Sequence, residues 1–163
     1  MIRIRKLTDY GIVLLTYFAV GGETSVRTAR ELAAKAHLPL PTVSKILKSL
    51  ARSSLLVAHR GIKGGYSLAR APEEITVAEI VAALEGPLAL TECSASAPGL
   101  CDIEPVCPVR SNWRRINDVV RAALTQLSLA DMSRPLAMHA ARARARITAS
   151  TAIVHLTLLR SET

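Results

Sequence analysis

Aromatic side chains are nearly missing from this 163-residue sequence: one Trp, one Phe and three Tyr make up 3% of it. Half of the residues are hydrophobic, so a core must be built from Leu, Val, Ile and Ala. Such a core favours packed helices over a sandwich. No run approaches the ~18 consecutive apolar residues of a membrane-crossing helix. Arg3, Arg5 and Lys6 precede an apolar run, as they would in a secretory leader. Asp9 and Tyr10 interrupt that approach, and Leu7, Tyr10, Leu14, Tyr17 and Phe18 fall at the spacing of an amphipathic helix.

Cysteine is absent outside one stretch, where there are three. An odd, clustered set is not a disulfide framework. It suits a metal or redox site in a reducing compartment, so a soluble cytoplasmic protein is expected. No nucleophile–base spacing, phosphate loop or paired acid suggests an enzyme. Acidic residues are too few to balance the bases: 21 Lys and Arg face 13 Asp and Glu, a formal charge of +8. That excess points to a polyanionic partner such as nucleic acid.

The N-terminal half has local signals in a telling order. A first helix over about 7–19 should stop at Gly21-Gly22. Thr28-Ala-Arg-Glu31 has the form of a capping box for a short second helix. His37-Leu-Pro-Leu-Pro41 makes a turn, and Pro41 suits the first turn of a third helix. On that helix Val43, Ile46, Leu47 and Leu50 share one face, while Thr42, Ser44, Lys45, Lys48 and Ser49 take the other. Short hydroxyls for base edges and phosphates, with lysines for the backbone, are what a recognition helix requires. An ordinary hairpin with a solvated face has the same pattern, and the next stretch of chain decides between them. Residues 55–59 and 66–68 read as two strands around the basic, Gly-rich turn Arg60-Gly-Ile-Lys-Gly-Gly65. This is a wing in which Arg60 and Lys63 would meet phosphate, and Gly64 and Gly65 would allow close backbone approach.

Thr76-Val-Ala-Glu79 is a second capping box, opening a connector helix that Gly86-Pro87 ends. The cysteines come next as Cys93, Cys101 and Cys107, spaced C-x7-C-x5-C in a loop of small residues. Thiolates select zinc, copper(I) or iron–sulfur groups. Structural zinc prefers closely spaced pairs, whereas single spaced cysteines can wrap a cluster, which usually takes four protein ligands. Glu92, Asp102 and Glu104 are nearby oxygen donors for the missing one. A thiol-redox switch and a zinc site stay open as alternatives. Beyond the loop, Trp113, Ile116, Val120, Ala123 or Leu124, and Leu127 form a stripe suited to pairing two subunits, as a two-fold operator would ask. The last segment, with Ala141-Arg-Ala-Arg-Ala-Arg146 and then an apolar run, reads as a solvated tail.

The order of winged helix, capped connector, three-cysteine loop and pairing helix resembles the Rrf-two family of bacterial transcription regulators. Lys6-Leu-Thr-Asp-Tyr-Gly11, Leu38-Pro-Leu-Pro-Thr-Val-Ser-Lys45, Gly64-Gly-Tyr-Ser-Leu68 and Leu129-Ala-Asp-Met-Ser133 are similar to its branch that regulates SUF-type iron–sulfur assembly genes. The resemblance covers about 1–135. It implies a homodimer on a double-stranded DNA operator, holding a [2Fe–2S] or [4Fe–4S] cluster through Cys93, Cys101 and Cys107. Two departures stand out. Arg110 occupies the place of a ligand His in one pattern of the family, and the first cysteine gap of seven exceeds the usual five. In another pattern an Asp of the first helix completes the cluster from the other subunit, and Asp9 matches it.

The resulting expectation is a mainly α chain. A winged helix-turn-helix head would occupy 1–75, a connector helix and cysteine loop 76–108, a dimerisation helix 109–135, and a tail without assigned role 136–163. The expected function is a cluster-sensing transcription regulator, in the sense of a repressor. The rival is a thiol-redox or zinc-dependent regulator or interaction protein with the same head.

Overall fold

The computed structural model describes residues 4–22, 25–61, 64–94, 101–135 and 138. The elements run α1 (Lys6–Gly21), α2 (Ala29–Ala36), α3 (Leu40–Arg52), β1 (Leu56–His59), β2 (Gly65–Leu68), α4 (Val77–Glu85) and α5 (Arg110–Thr125), then α6 over 129–135. Single 3-10 turns at Pro72–Glu74, Glu92–Ser94 and Glu104–Val106 join them.

The core lies in the head. Leu14, Leu15, Phe18, Leu32, Val43, Ile46, Leu47 and Leu50 come from the three helices, and Leu55, Leu56 and Leu68 from the wing's base. As expected from composition, it is aliphatic apart from Phe18. Each fully buried side chain of this kind contributes about 1.5–3 kcal/mol by leaving water. Helix α1 ends at Gly22, whose φ of 90° is open to glycine and strained for other residues.

Helix caps explain where the other helices begin. Thr28 Oγ1 accepts the Glu31 N–H, 3.1 Å away. The expected reciprocal half of that box is replaced: the Glu31 carboxylate turns to Arg27 at 2.8 Å and Lys35 at 2.9 Å, because two cations one turn away on either side attract it more strongly than a backbone amide. Thr76 and Glu79 form the complete box. Burial raises the Glu79 pKa, but the Thr76 amide and hydroxyl and the Arg70 guanidinium outweigh it and hold the carboxyl below its ordinary value. A third box, Ser128 with Asp131, opens α6.

The stripe beyond the cysteine loop divides between two elements. Helix α5 ends at Thr125, so Leu127 lies past it. The Leu127 carbonyl then accepts the Val77 N–H, and the Leu129 N–H donates to Ile75. These bonds turn α6 back onto the head, where Leu129 is fully buried. No helix among the described residues is long and apolar enough to cross a membrane.

Candidate nucleic-acid interface and cysteine loop

Helix α3 presents its expected faces. Val43, Ile46, Leu47 and Leu50 have no exposed surface. Lys45 and Lys48 are exposed, and Thr42 and Ser44 are half-buried beside them. Ser49 does not belong to that outer face: its hydroxyl donates to the Ala83 carbonyl of α4, 3.1 Å away. Position 49 lies three residues beyond Ile46, so it borders the buried stripe and the hydroxyl finds a partner there.

The wing is an antiparallel pair in the register Leu56↔Leu68 to His59↔Gly65. Arg60 is exposed at its tip, and Lys63 lies outside the described residues. Gly64 and Gly65 are half-buried, and each has a local reason for lacking a side chain. A Cβ at Gly65 would meet the Arg27 carbonyl oxygen at 2.6 Å, and one at Gly64 the His59 carbonyl oxygen at 2.6 Å. Arg27 runs beside the wing as a bridge to Tyr66, exchanging two 2.9 Å backbone bonds with it.

All three cysteines are free thiols; Cys93 is buried, Cys101 and Cys107 are half-buried. Cys93 Sγ lies 3.2 Å from Thr91 Oγ1. In kind, this donor set fits an iron–sulfur group: three soft ligands on one loop, none consumed by a disulfide. In the conformation described they are not gathered, since no three His, Cys, Asp or Glu side chains converge as a metal site among the described residues. Residues 95–100 of the loop lie outside the description. Asp9 is exposed on the first turn of α1, beside Thr8, whose buried hydroxyl donates to Glu85 at 2.6 Å.

Two of the candidate positions around the cysteines have other partners. Glu104 is buried, and its Oε1 takes Arg110 at 2.6 Å and Arg114 at 3.4 Å. Arg110, at the place of a ligand His, is thus an ion-pair partner of Glu104. Sequence reasoning missed this pair. The available signal was Arg110 and Arg114 at i, i+4 on the first turns of a helix that lacks any acid there. A carboxylate just upstream satisfies both the arginines and the positive end of the helix.

The head is a two-helix reader with a basic wing, and the family's sequence profile for an iron-dependent transcriptional regulator matches residues 4–135. The chain belongs to the Rrf2 family. Among its relatives, a helix-turn-helix-type transcriptional regulator of Mycobacterium tuberculosis is 30% identical over 134 residues, 80% of this chain and 81% of that one. The regulator NsrR of Halalkalibacterium halodurans is 27% identical over 130 residues, 80% of this chain and 89% of its own. The solved structure of CymR, the global cysteine regulator of Bacillus subtilis, superposes with a TM-score of 0.64 at 25% identity, covering 82% of this chain and 98% of that one. T. potens IscR shares the fold, with a TM-score of 0.62 at 23% identity over 83% and 88% of the two chains. This chain is therefore a DNA-binding transcription regulator, as its head and charge led one to expect, and its relatives are regulators rather than enzymes.

Proposed function

We propose that this Rrf2-family regulator senses an iron–sulfur cluster and, as a homodimer, represses SUF-type cluster-assembly genes. Cys93, Cys101 and Cys107 would supply the thiolates, and Asp9 of the second subunit the fourth ligand. The observation that carries the reading is three free cysteines on one loop, set between a DNA-reading head and a helix with a bare apolar stripe. Bound there, a cluster supplies a centre sensitive to oxidation and to competing ligands. The chain's part is to bring the three thiols together around that group. On DNA, Thr42, Ser44, Lys45 and Lys48 of α3 serve the major groove, and Arg60, Lys63, Gly64 and Gly65 bring the wing against the backbone.

Of the expected stripe, Trp113, Ile116 and Leu127 are 40%, 45% and 45% exposed, Val120 and Leu124 are half-buried, and the neighbouring Val119 is 63% exposed. An apolar row of this size on a regulator of two-fold DNA sites supports pairing through 113–127. The test of the cluster reading is anaerobic purification or reconstitution. The protein should be coloured, with thiolate-to-iron absorption that Cys93→Ala removes; colourless, iron-free protein contradicts it. The three free thiols would also serve a second reading, a thiol-redox or zinc-dependent regulator or interaction protein with the same head. Zinc, or no metal with a reversible disulfide, would select that alternative class.

A further inference from the structure

Arg114 touches the cysteine loop at both ends. Its Nε donates to the Cys93 carbonyl at 3.4 Å, and its Nη2 donates to Glu104 Oε1 at 3.4 Å. Glu104 stands three residues before Cys107, and its side chain is only 10% exposed. A carboxylate so far from water needs charged or hydrogen-bonding partners, and Arg110 and Arg114 are two of them. One turn along, Asn117 is 2% exposed, and its Oδ1 accepts the Leu90 N–H at 3.1 Å, three residues before Cys93. Positions 110, 114 and 117 recur at i, i+4 and i+7, so they form one polar seam along α5. The exposed apolar residues Trp113, Ile116 and Val119 stand on other faces of the same helix. Cys93, Ser94, Arg114, Asn117, Asp118 and Arg121 line a cavity of about 200 Å³ where loop and seam meet.

We propose that Arg114 is a positioning residue: by bridging the Cys93 backbone and the Glu104 carboxylate, it fastens both flanks of the cysteine loop to α5. The loop's flanks around Cys93 and Glu104 and the helix that carries the exposed apolar residues then move as one piece. The significance of this bridge for sensing rests on the cluster reading, but the bridge itself is a property of the metal-free chain. Its test is therefore made without metal, and it can fail or succeed whatever the chain binds. Lysine cannot replace arginine here, because one ammonium on a single stem lacks the fork that reaches two acceptors.

The experiment is amide hydrogen exchange on the reduced, metal-free full-length protein. The amides to monitor are Leu90, Ser94, Glu104 and Val106, whose acceptors are Asn117, Thr91, Cys101 and Ile103. Arg114→Gln is expected to speed exchange at Ser94 and Glu104 roughly tenfold or more. Glu104→Gln, which keeps the shape and removes the charge, should act in the same direction, and the double variant should add little to the larger single effect. Arg114→Lys should behave as Arg114→Gln, and exchange in α3 should stay unchanged in all of them. Exposed Arg115 serves as control, with Arg115→Gln leaving the loop as in wild type. Loop exchange within twofold of wild type in Arg114→Gln, full recovery in Arg114→Lys, or independent multiplying effects in the double variant would overturn the proposal. Should Arg114→Gln fail to fold, Glu104→Gln and Arg114→Lys decide the matter by the same readout.

Discussion

Helices α3 and α5 are both amphipathic and of similar length, yet only one has its apolar face covered. Helix α3 buries Val43, Ile46, Leu47 and Leu50 completely within its own chain. Helix α5 buries one residue, the polar Asn117, and leaves Trp113, Ile116 and Val119 in water. The head is therefore finished by a single chain. In the C-terminal module the polar seam of α5 bonds to the flanks of the cysteine loop, while Trp113, Ile116 and Val119 stay uncovered within the chain. If the proposed sensing and pairing hold, stability is divided between a reader finished by one chain and a module completed by its partner.

Breaking the finished half should cost most. Leu47→Ala removes a fully buried side chain and is expected to destabilise the head by about 2–5 kcal/mol in urea unfolding. The mirror-image change on α5 should leave the fold alone and act on association. Ile116→Asp is expected to weaken self-association roughly tenfold or more by sedimentation, with far-UV circular dichroism unchanged. A smaller effect tests the joint between the halves: Thr76→Ala removes the cap of α4 and should cost about 1 kcal/mol. The smallest is its pH dependence. The folded Glu79 carboxyl titrates below its ordinary 4.5, so its contribution is present above that pH and is lost as pH falls through the lower folded value. The stability difference between wild type and Glu79→Gln should thus be constant near neutrality and shrink in acid below about 4.5.

The same contrast explains what was legible in the sequence. The head was readable because its signals are local: 3.6-residue periodicity in α3, Pro41 at a helix start, glycines in the wing. Both Thr-x-x-Glu boxes were visible, but whether Glu31 would face its cap or Arg27 and Lys35 depended on side chains competing in space. The end of α5 and the return of α6 were missed although Ser128-Leu-Ala-Asp131 is itself a capping signal, because the apolar stripe ran on to Leu127 across the break. Glu104 read as a nearby oxygen donor. The spacing of Arg110 and Arg114 hinted at a carboxylate partner, but its burial between them results from how the loop folds onto α5. Asp9, the fourth ligand that the family resemblance implies, would act from another chain, so no contact within one chain bears on it.

The central claim is that occupancy of the cysteine loop sets the DNA affinity of the head. It is tested most directly by operator binding, measured anaerobically at fixed salt on one preparation before and after removal of its iron, with Cys93→Ala alongside. The account predicts at least a tenfold difference between loaded and stripped wild type, and Cys93→Ala fixed at the stripped value. Equal affinities for loaded and stripped protein would contradict it.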